Sequence, residues 1–386
     1  MSQQTAIRSY NVVGTVQDMN DFITNIDPDQ TLLTSRFGKL SVHNTEHSWL
    51  CDSLRPAMDN ATLEVHDFST RQATPRRRES NFTQQFEHGY TVSDITQAIK
   101  KYGVRDEKAY QMLKASKEIG RDLEYAIVSN KVKAPFDETT AGRFGGIPYF
   151  LDNFSEVTVD AQGVVTLANH RFVTGDKVIV RGKGTNALDA KYKANTQYFV
   201  KPINKDTFTL HATAEDSAAT PGTPIKPSAA VAAGKMELTY CNAIDAKALN
   251  PAGEFTMESL NDAMQAVWGR GGDVDIAVMS GKNKRKASTF TANSQRNVAM
   301  EAKKLTQVID VLETDFGVIE LVAHRLYADD VVDLLELQYW KLGYLIPFHN
   351  EDLERKGTYK ESVITGTATL ECTAPIANAR LYGISK

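Results

Sequence analysis

Cysteine is scarce in this chain: Cys51, Cys241 and Cys372 are the three in 386 residues, far apart in sequence and odd in number. That spacing argues against both a disulfide framework and a zinc site, and reduced thiols in a reducing compartment are expected. Long apolar runs are missing too. No stretch of 18 or more apolar residues exists, so no membrane-spanning helix is expected. The first residues, Met1-Ser2-Gln3-Gln4-Thr5, are polar and lack the apolar segment of a signal peptide, so synthesis and retention in the cytosol of the producing cell are expected. Positive charge is not in excess. Lysine and arginine number 44 against 48 aspartates and glutamates, a formal net charge of -4. A protein that holds nucleic acid over a broad basic face shows the opposite balance.

Catalytic motifs are lacking as well. The chain has no serine elbow, no HExxH and no dinucleotide fingerprint. His43 and His47 stand four apart, which brings two ligands together on a helix, but their surroundings read as strand, where that spacing separates them. Asp329 and Asp330 are adjacent and read as a turn between strands. The loop Gly142-Arg143-Phe144-Gly145-Gly146-Ile147-Pro148 lacks the Lys-Ser/Thr ending of a phosphate loop. No enzyme activity, cofactor or metal site is expected.

The composition that remains, 41% hydrophobic and 24% charged, is that of a folded chain with a sizeable core. Residues 1–35 mix polar and apolar residues without period and read as an arm that lies on something else. Residues 36–93 read as a long hairpin, with strands around Val42–Leu50 and Phe82–Val92 and a polar tip that ends near Arg76-Arg77-Arg78. Asp106 is placed to cap a helix running to about Asn130. Its stripe is Ala109, Met112, Leu113, Ser116, Ile119, Gly120, Leu123, Ala126 and Ile127, a rod of roughly 36 Å. Short alternating runs from Val157 to Leu210, closed by Met236–Tyr240, read as a small all-β module over 155–240, with the low-complexity stretch 218–234 as a tether or loop. Beyond 241 the pattern is mixed. Thr256 caps a helix that ends at Gly269, another is placed over Asn297–Thr306, and strands are expected at Val274–Met279, Phe316–Ala323, Val331–Leu337, Glu361–Thr373 and Ala379–Ile384. Lys282-Asn283-Lys284-Arg285-Lys286 is a second basic cluster, read by default as solvated surface.

The order of parts resembles the Hong Kong ninety-seven type capsid fold, and several segments resemble the branch of it represented by the phage SU-ten capsid family. The segments are Glu46-His47-Ser48-Trp49-Leu50-Cys51-Asp52-Ser53-Leu54, then Asn81-Phe82-Thr83-Gln84-Gln85-Phe86, Gly145-Gly146-Ile147, Leu260-Asn261-Asp262-Ala263 through Trp268-Gly269-Arg270-Gly271-Gly272, Asp315-Phe316-Gly317, and Thr367-Ala368-Thr369-Leu370-Glu371. Ser93-Asp94-Ile95-Thr96 departs from the family's Ser-Gly-Thr. The hairpin has no lysine between Lys39 and Lys100, so lysine–asparagine cross-linking is not carried over.

The resemblance implies an α+β chain with an N-terminal arm (1–35), an extended hairpin loop (36–93), a peripheral domain with a spine helix (94–154), an inserted all-β domain (155–240), an axial domain (241–345) and returning peripheral strands (346–386). It implies a non-enzymatic major capsid protein of a tailed phage, with a tail-tube or head-decoration protein of the same virion as the alternative. The implied partners are other copies in hexamers and pentamers, a portal protein, a separate scaffolding protein, a decoration protein and non-specifically contacted DNA. Arg76, Arg77, Arg78 and Trp49 are the expected inter-subunit contacts.

Overall fold

The computed structural model describes residues 31–52, 61–62, 64, 76–100, 104–168, 170, 172, 174–184, 186, 188–219, 221–290 and 311–385. Most of the expected arm, most of the hairpin tip and the helix expected over Asn297–Thr306 lie outside the described residues.

The chain divides into two compact units. The smaller takes in Glu87–Gly120 and His349–Thr365; the larger holds the remaining described residues. The long helix Glu107–Ser129 and three long strands have residues in both. That helix starts where the sequence places it, because the Asp106 carboxylate accepts from the Ala109 amide at 3.2 Å. Its buried face is Ala115, Ile119, Leu123, Ala126 and Ile127. Met112 and Leu113, expected in the stripe, are 43% and 58% exposed. The stripe is displaced toward the 115-119-123 line, since the apolar count near the helix start is too low to fix its phase.

Within the smaller unit most of the polar ties are at the surface. Lys108 meets Asp352 at 2.7 Å, Ser362 donates to the same carboxylate at 2.7 Å, and His88 pairs with Glu118 at 2.9 Å. Ile95, Ile99 and Leu353 stand exposed there.

The larger unit contains three structured regions. The first is the root of a four-stranded sheet, ordered Gly38–Ser41, Trp340–Asp352, Tyr359–Cys372, Gln84–Ser93, with the first pair parallel. Tyr359–Cys372 matches the alternating run expected at the C-terminus. Its last residues, Thr367 to Cys372, are all buried, so this end is covered on both faces. The residues just after 31 are not extended arm. They form a short helix, Leu32–Arg36, whose Leu33 and Thr34 amides donate to the fully buried Glu124 carboxylate at 2.8 and 2.9 Å. His324 meets the same carboxylate at 2.9 Å. Burial raises the Glu124 pKa, but these hydrogen bonds outweigh it and the group stays below its ordinary range.

The second region is a six-stranded mixed sheet in the order Asn242–Asp245, Ala379–Tyr382, Val331–Leu335, Ile276–Met279, Gly317–Ala323, Val311–Thr314. The helix Met257–Trp268 covers it with Leu260, Met264 and Val267, and Thr256 and Ser259 close a reciprocal capping box. Asp333 and Arg380 face each other across adjacent strands and form a buried bidentate pair at 2.7 Å, to which the Tyr327 hydroxyl donates. The basic run 282–286 lies in a helix, Gly281–Ala287, capped by Ser280. Its charges left no apolar stripe to reveal it.

The third region is a closed antiparallel barrel. Around it run Val231–Thr239, Ser155–Val159, Val164–Thr166, Thr207–His211, Gln197–Pro202 and Lys177–Gly182, the last pairing back to the first. Val157, Val165, Val180, Val200, Phe208, Leu210, Met236 and Leu238 fill it. Closure leaves no free edge, which explains how such short strands stay paired.

Candidate inter-subunit surface

The hairpin is built from Glu46–Cys51 and Arg77–Phe82, antiparallel, with Glu46 opposite Phe82 and Cys51 opposite Arg77. The returning strand is therefore 77–82, not the expected 82–92; Gln84–Ser93 belongs to the four-stranded sheet. Thr83, buried between them, ends one pairing and starts the other, and its amide donates to the Thr45 carbonyl at 2.8 Å.

Successive strand side chains alternate in direction. His47, Trp49 and Cys51 face the body of the protein. His47 meets Glu371 at 2.6 Å, Trp49 lies 6.1 Å from Phe150 between ring centroids, and Cys51 donates to the Thr373 carbonyl at 3.2 Å. Glu46 and Leu50 face outward, and Leu50 is 64% exposed. Phe150 in turn meets Trp340 edge-on at 5.7 Å, which ties the strand to the largest buried side chain.

Asn81 anchors the returning strand. It is fully buried, donates to the carbonyls of Gly145 and Leu370 at 2.9 and 2.7 Å, and accepts from the Gly145 amide at 2.8 Å. The glycine loop thus holds the hairpin. A side chain at Gly146 would put a Cβ 2.4 Å from the Ile127 carbonyl, so only glycine allows the loop to approach the long helix this closely. Lys133 donates to the Ser80 carbonyl at 2.6 Å and sits over the rings of Phe82 and Tyr149. Burial lowers the Lys133 pKa, and burial with the Glu79 carboxylate pushes the Tyr149 hydroxyl up to about 12.

The arginines lie on or just before the returning strand. Arg76 is exposed and 3.7 Å from Asp52 of its own chain; Arg78 is exposed opposite Leu50; the Arg77 side chain is outside the description. The Trp49 indole N–H is buried and has no acceptor among the described residues. Sequence reasoning missed Asn81, Lys133 and Gly145 as a cluster because they are scattered over more than 60 positions. Asn81 and Gly145 were each visible only as parts of separate motifs. No group of three or more potential metal ligands occurs among the described residues.

The SU10 major capsid protein family model matches residues 3–385. Over 134 residues the chain is 31% identical to the major capsid protein of Escherichia phage Phieco32, a stretch that spans 34% of this chain and 38% of that relative. Its fold is similar to that in the capsid of a native GTA particle, at 8% identity and a TM-score of 0.54 with both chains covered completely. It is also similar to that of the Cyanophage A-1(L) capsid, at 10% identity and a TM-score of 0.53, covering 98% of this chain and 99% of the other. With a mixed α/β capsid fold and a family match over nearly its whole length, this chain belongs to the SU10 major capsid protein family, structural proteins of tailed-bacteriophage virions.

Proposed function

We propose that the chain assembles into the icosahedral head shell that encloses the phage double-stranded DNA genome, using a Hong Kong ninety-seven type arrangement. In this reading 1–35 is the arm, 36–93 the extended hairpin loop, 94–154 the spine-helix part of the peripheral domain, 155–240 an inserted barrel domain, 241–345 the axial domain and 346–386 the returning strands. The observation that carries it is the hairpin. Two strands are fixed at their root by Asn81, Lys133 and His47, and no third strand joins them among the described residues. A pair of strands without a core gains stability by lying on a neighbour, and in a closed shell that neighbour is another copy.

Arg76, just before the returning strand, and Arg77 and Arg78 on it are assigned contacts with carboxylates of an adjoining subunit. Trp49 supports that surface from beneath through its packing on Phe150. Copies in hexamers and pentamers, a portal protein, a separate scaffolding protein, a decoration protein and packaged DNA, contacted without sequence preference, are the partners of this reading, with assembly in the host cytoplasm. The barrel leaves and rejoins the same body at adjacent points, since the Cys241 thiol donates to the Phe150 carbonyl at 2.9 Å. That geometry fits an outward lobe that leaves its host domain intact. Negative-stain microscopy of the chain expressed with its scaffolding protein tests the proposal: closed shells are expected, and open tubes or soluble monomers alone would refute it.

A further inference from the structure

An open cleft of about 440 Å³ separates the barrel from the helix Met257–Trp268. Its walls are held by polar ties across the joint. Asn195 and the Asp245 backbone exchange two hydrogen bonds, at 2.9 and 2.8 Å, and Lys177 donates to the Gly269 carbonyl at 2.9 Å. Arg270 donates to the Tyr240 carbonyl. Arg181 pairs with Asp152 and Glu237 and stacks 3.5 Å above the Phe154 ring. Asn195 is the one non-glycine residue with positive φ, 58°, among the described residues. Asparagine tolerates that conformation better than most residues, and here it sets the rim of the cleft.

The helix presents Asp262, Gln265 and Trp268 to the cleft, three residues apart and so on one side, and the barrel presents Gln197 opposite. Trp268 is 63% exposed, with Phe316 against it at 5.9 Å between centroids. The side chains of Asp262, Gln265 and Gln197 make no hydrogen bond to another described residue. Burial, with Glu258 nearby, raises the Asp262 carboxyl above its ordinary value. No lysine or arginine lines the cleft.

We propose that this cleft binds a neutral carbohydrate, with a sugar ring lying on Trp268 and its hydroxyls held by Asp262, Gln265 and Gln197. An exposed indole face matches the C–H face of a sugar ring. A carboxylate beside two amides supplies the donors and acceptors that hydroxyl groups require. A phosphorylated or carboxylated ligand would meet Asp262, while the two cations at the joint, Lys177 and Arg270, donate to the Gly269 and Tyr240 carbonyls; a purely apolar ligand would strand three polar side chains. The cleft has the size of small-ligand pockets and lies at the junction of the barrel with the helix Met257–Trp268. This binding is separate from shell formation, and the sugar titration itself does not require shells.

The test titrates the full chain with maltohexaose, cellohexaose, mannohexaose and the N-acetylglucosamine hexamer. Tryptophan fluorescence follows the wild type, and saturation-transfer NMR on the sugar follows every variant. Trp340 is fully buried and Trp49 sits on Phe150, so Trp268 is the responsive fluorophore. At least one sugar should bind in the millimolar range. Trp268→Ala should weaken it by about tenfold or more, the equivalent of one lost aromatic contact. Asp262→Asn should weaken it less, and neither change should shift the melting temperature. Absence of binding by all four sugars at tens of millimolar, or equal binding by Trp268→Ala, overturns the proposal. So does a Trp268 emission shift on shell assembly without sugar, which would mean that a second copy covers the cleft.

Discussion

The barrel and the hairpin are both antiparallel β-structure, yet they solve the edge problem in opposite ways. The barrel closes its six strands on themselves and fills the interior with Val157, Val180, Phe208, Leu210 and Met236. Among the described residues the hairpin has two strands, one inward row of three side chains on its first strand, and an outward row headed by Leu50 and Arg78. A closed sheet is stable by its own hydrophobic burial, whereas a two-stranded sheet depends on whatever it lies against. One chain therefore carries a β-region complete in itself and another that is incomplete, and the incomplete one is where contact with other copies is to be sought.

The largest effect expected from breaking this contrast is inside the barrel. Phe208→Ala should cost about 3–5 kcal/mol through the cavity it leaves. Thermal denaturation followed by near-ultraviolet circular dichroism should show the barrel melting earlier. An unchanged transition would mean that the barrel core is not what stabilises it.

At the hairpin root, Asn81→Ala orphans the Gly145 amide and two carbonyls in a buried place, at about 1–3 kcal/mol for an unsatisfied buried group. Hydrogen exchange at Ser80–Thr83 should accelerate while amides of the barrel strands keep their protection. Equal acceleration in both would deny the independence of the two regions.

Acid offers a milder probe of the barrel. Asp216 is held below its ordinary value of 3.8 by the Thr223 amide and by His211, and Asp189 by the Lys191 and Ser228 amides. A depressed folded-state pKa contributes stability that is present above pH 3.8 and lost as the pH falls through the folded value. Exchange at residues 213–223 should rise below about pH 4, and Asp216→Asn should remove most of that pH dependence. A flat profile in the wild type would show that these hydrogen bonds carry no stability.

The smallest effect on the isolated chain belongs to the arginines. Exposed ion pairs are worth about 0–1 kcal/mol each, so reversing Arg76, Arg77 and Arg78 to Glu should leave the melting temperature nearly unchanged. Shell yield by negative-stain microscopy should nonetheless fall, because the same contact is repeated at every copy. Normal shells from this triple variant would remove the arginines from the interface.

Residues whose partners are close in sequence were readable without the structure. Asp106 at the start of the long helix, and Thr256 with Gly269 at the ends of Met257–Trp268, are capping signals written within a turn or two of the chain. The alternating runs that become barrel strands, and the long C-terminal strand Tyr359–Cys372, are equally local. Where local pattern is weak the sequence misleads. It extends the stripe to Met112 and Leu113, which are exposed. It sets the returning hairpin strand several residues late, because 77–93 is a continuous run suited to strand that two different sheets divide at Thr83.

What the sequence determined by itself is the capped helices Glu107–Ser129 and Met257–Trp268, the alternating runs of the barrel and of the C-terminal strand, and the order of parts that its family shares, since periodicity, caps and motifs are short-range properties of the chain. The tertiary structure alone decided which distant groups meet. Asn81 reaches Gly145 and Leu370, Glu124 collects the amides of Leu33 and Thr34, Asp333 pairs with Arg380, and Trp268 is left facing a cleft. Those meetings depend on how buried polar groups find partners once apolar faces have packed, a requirement satisfied over the whole fold that no window of sequence contains.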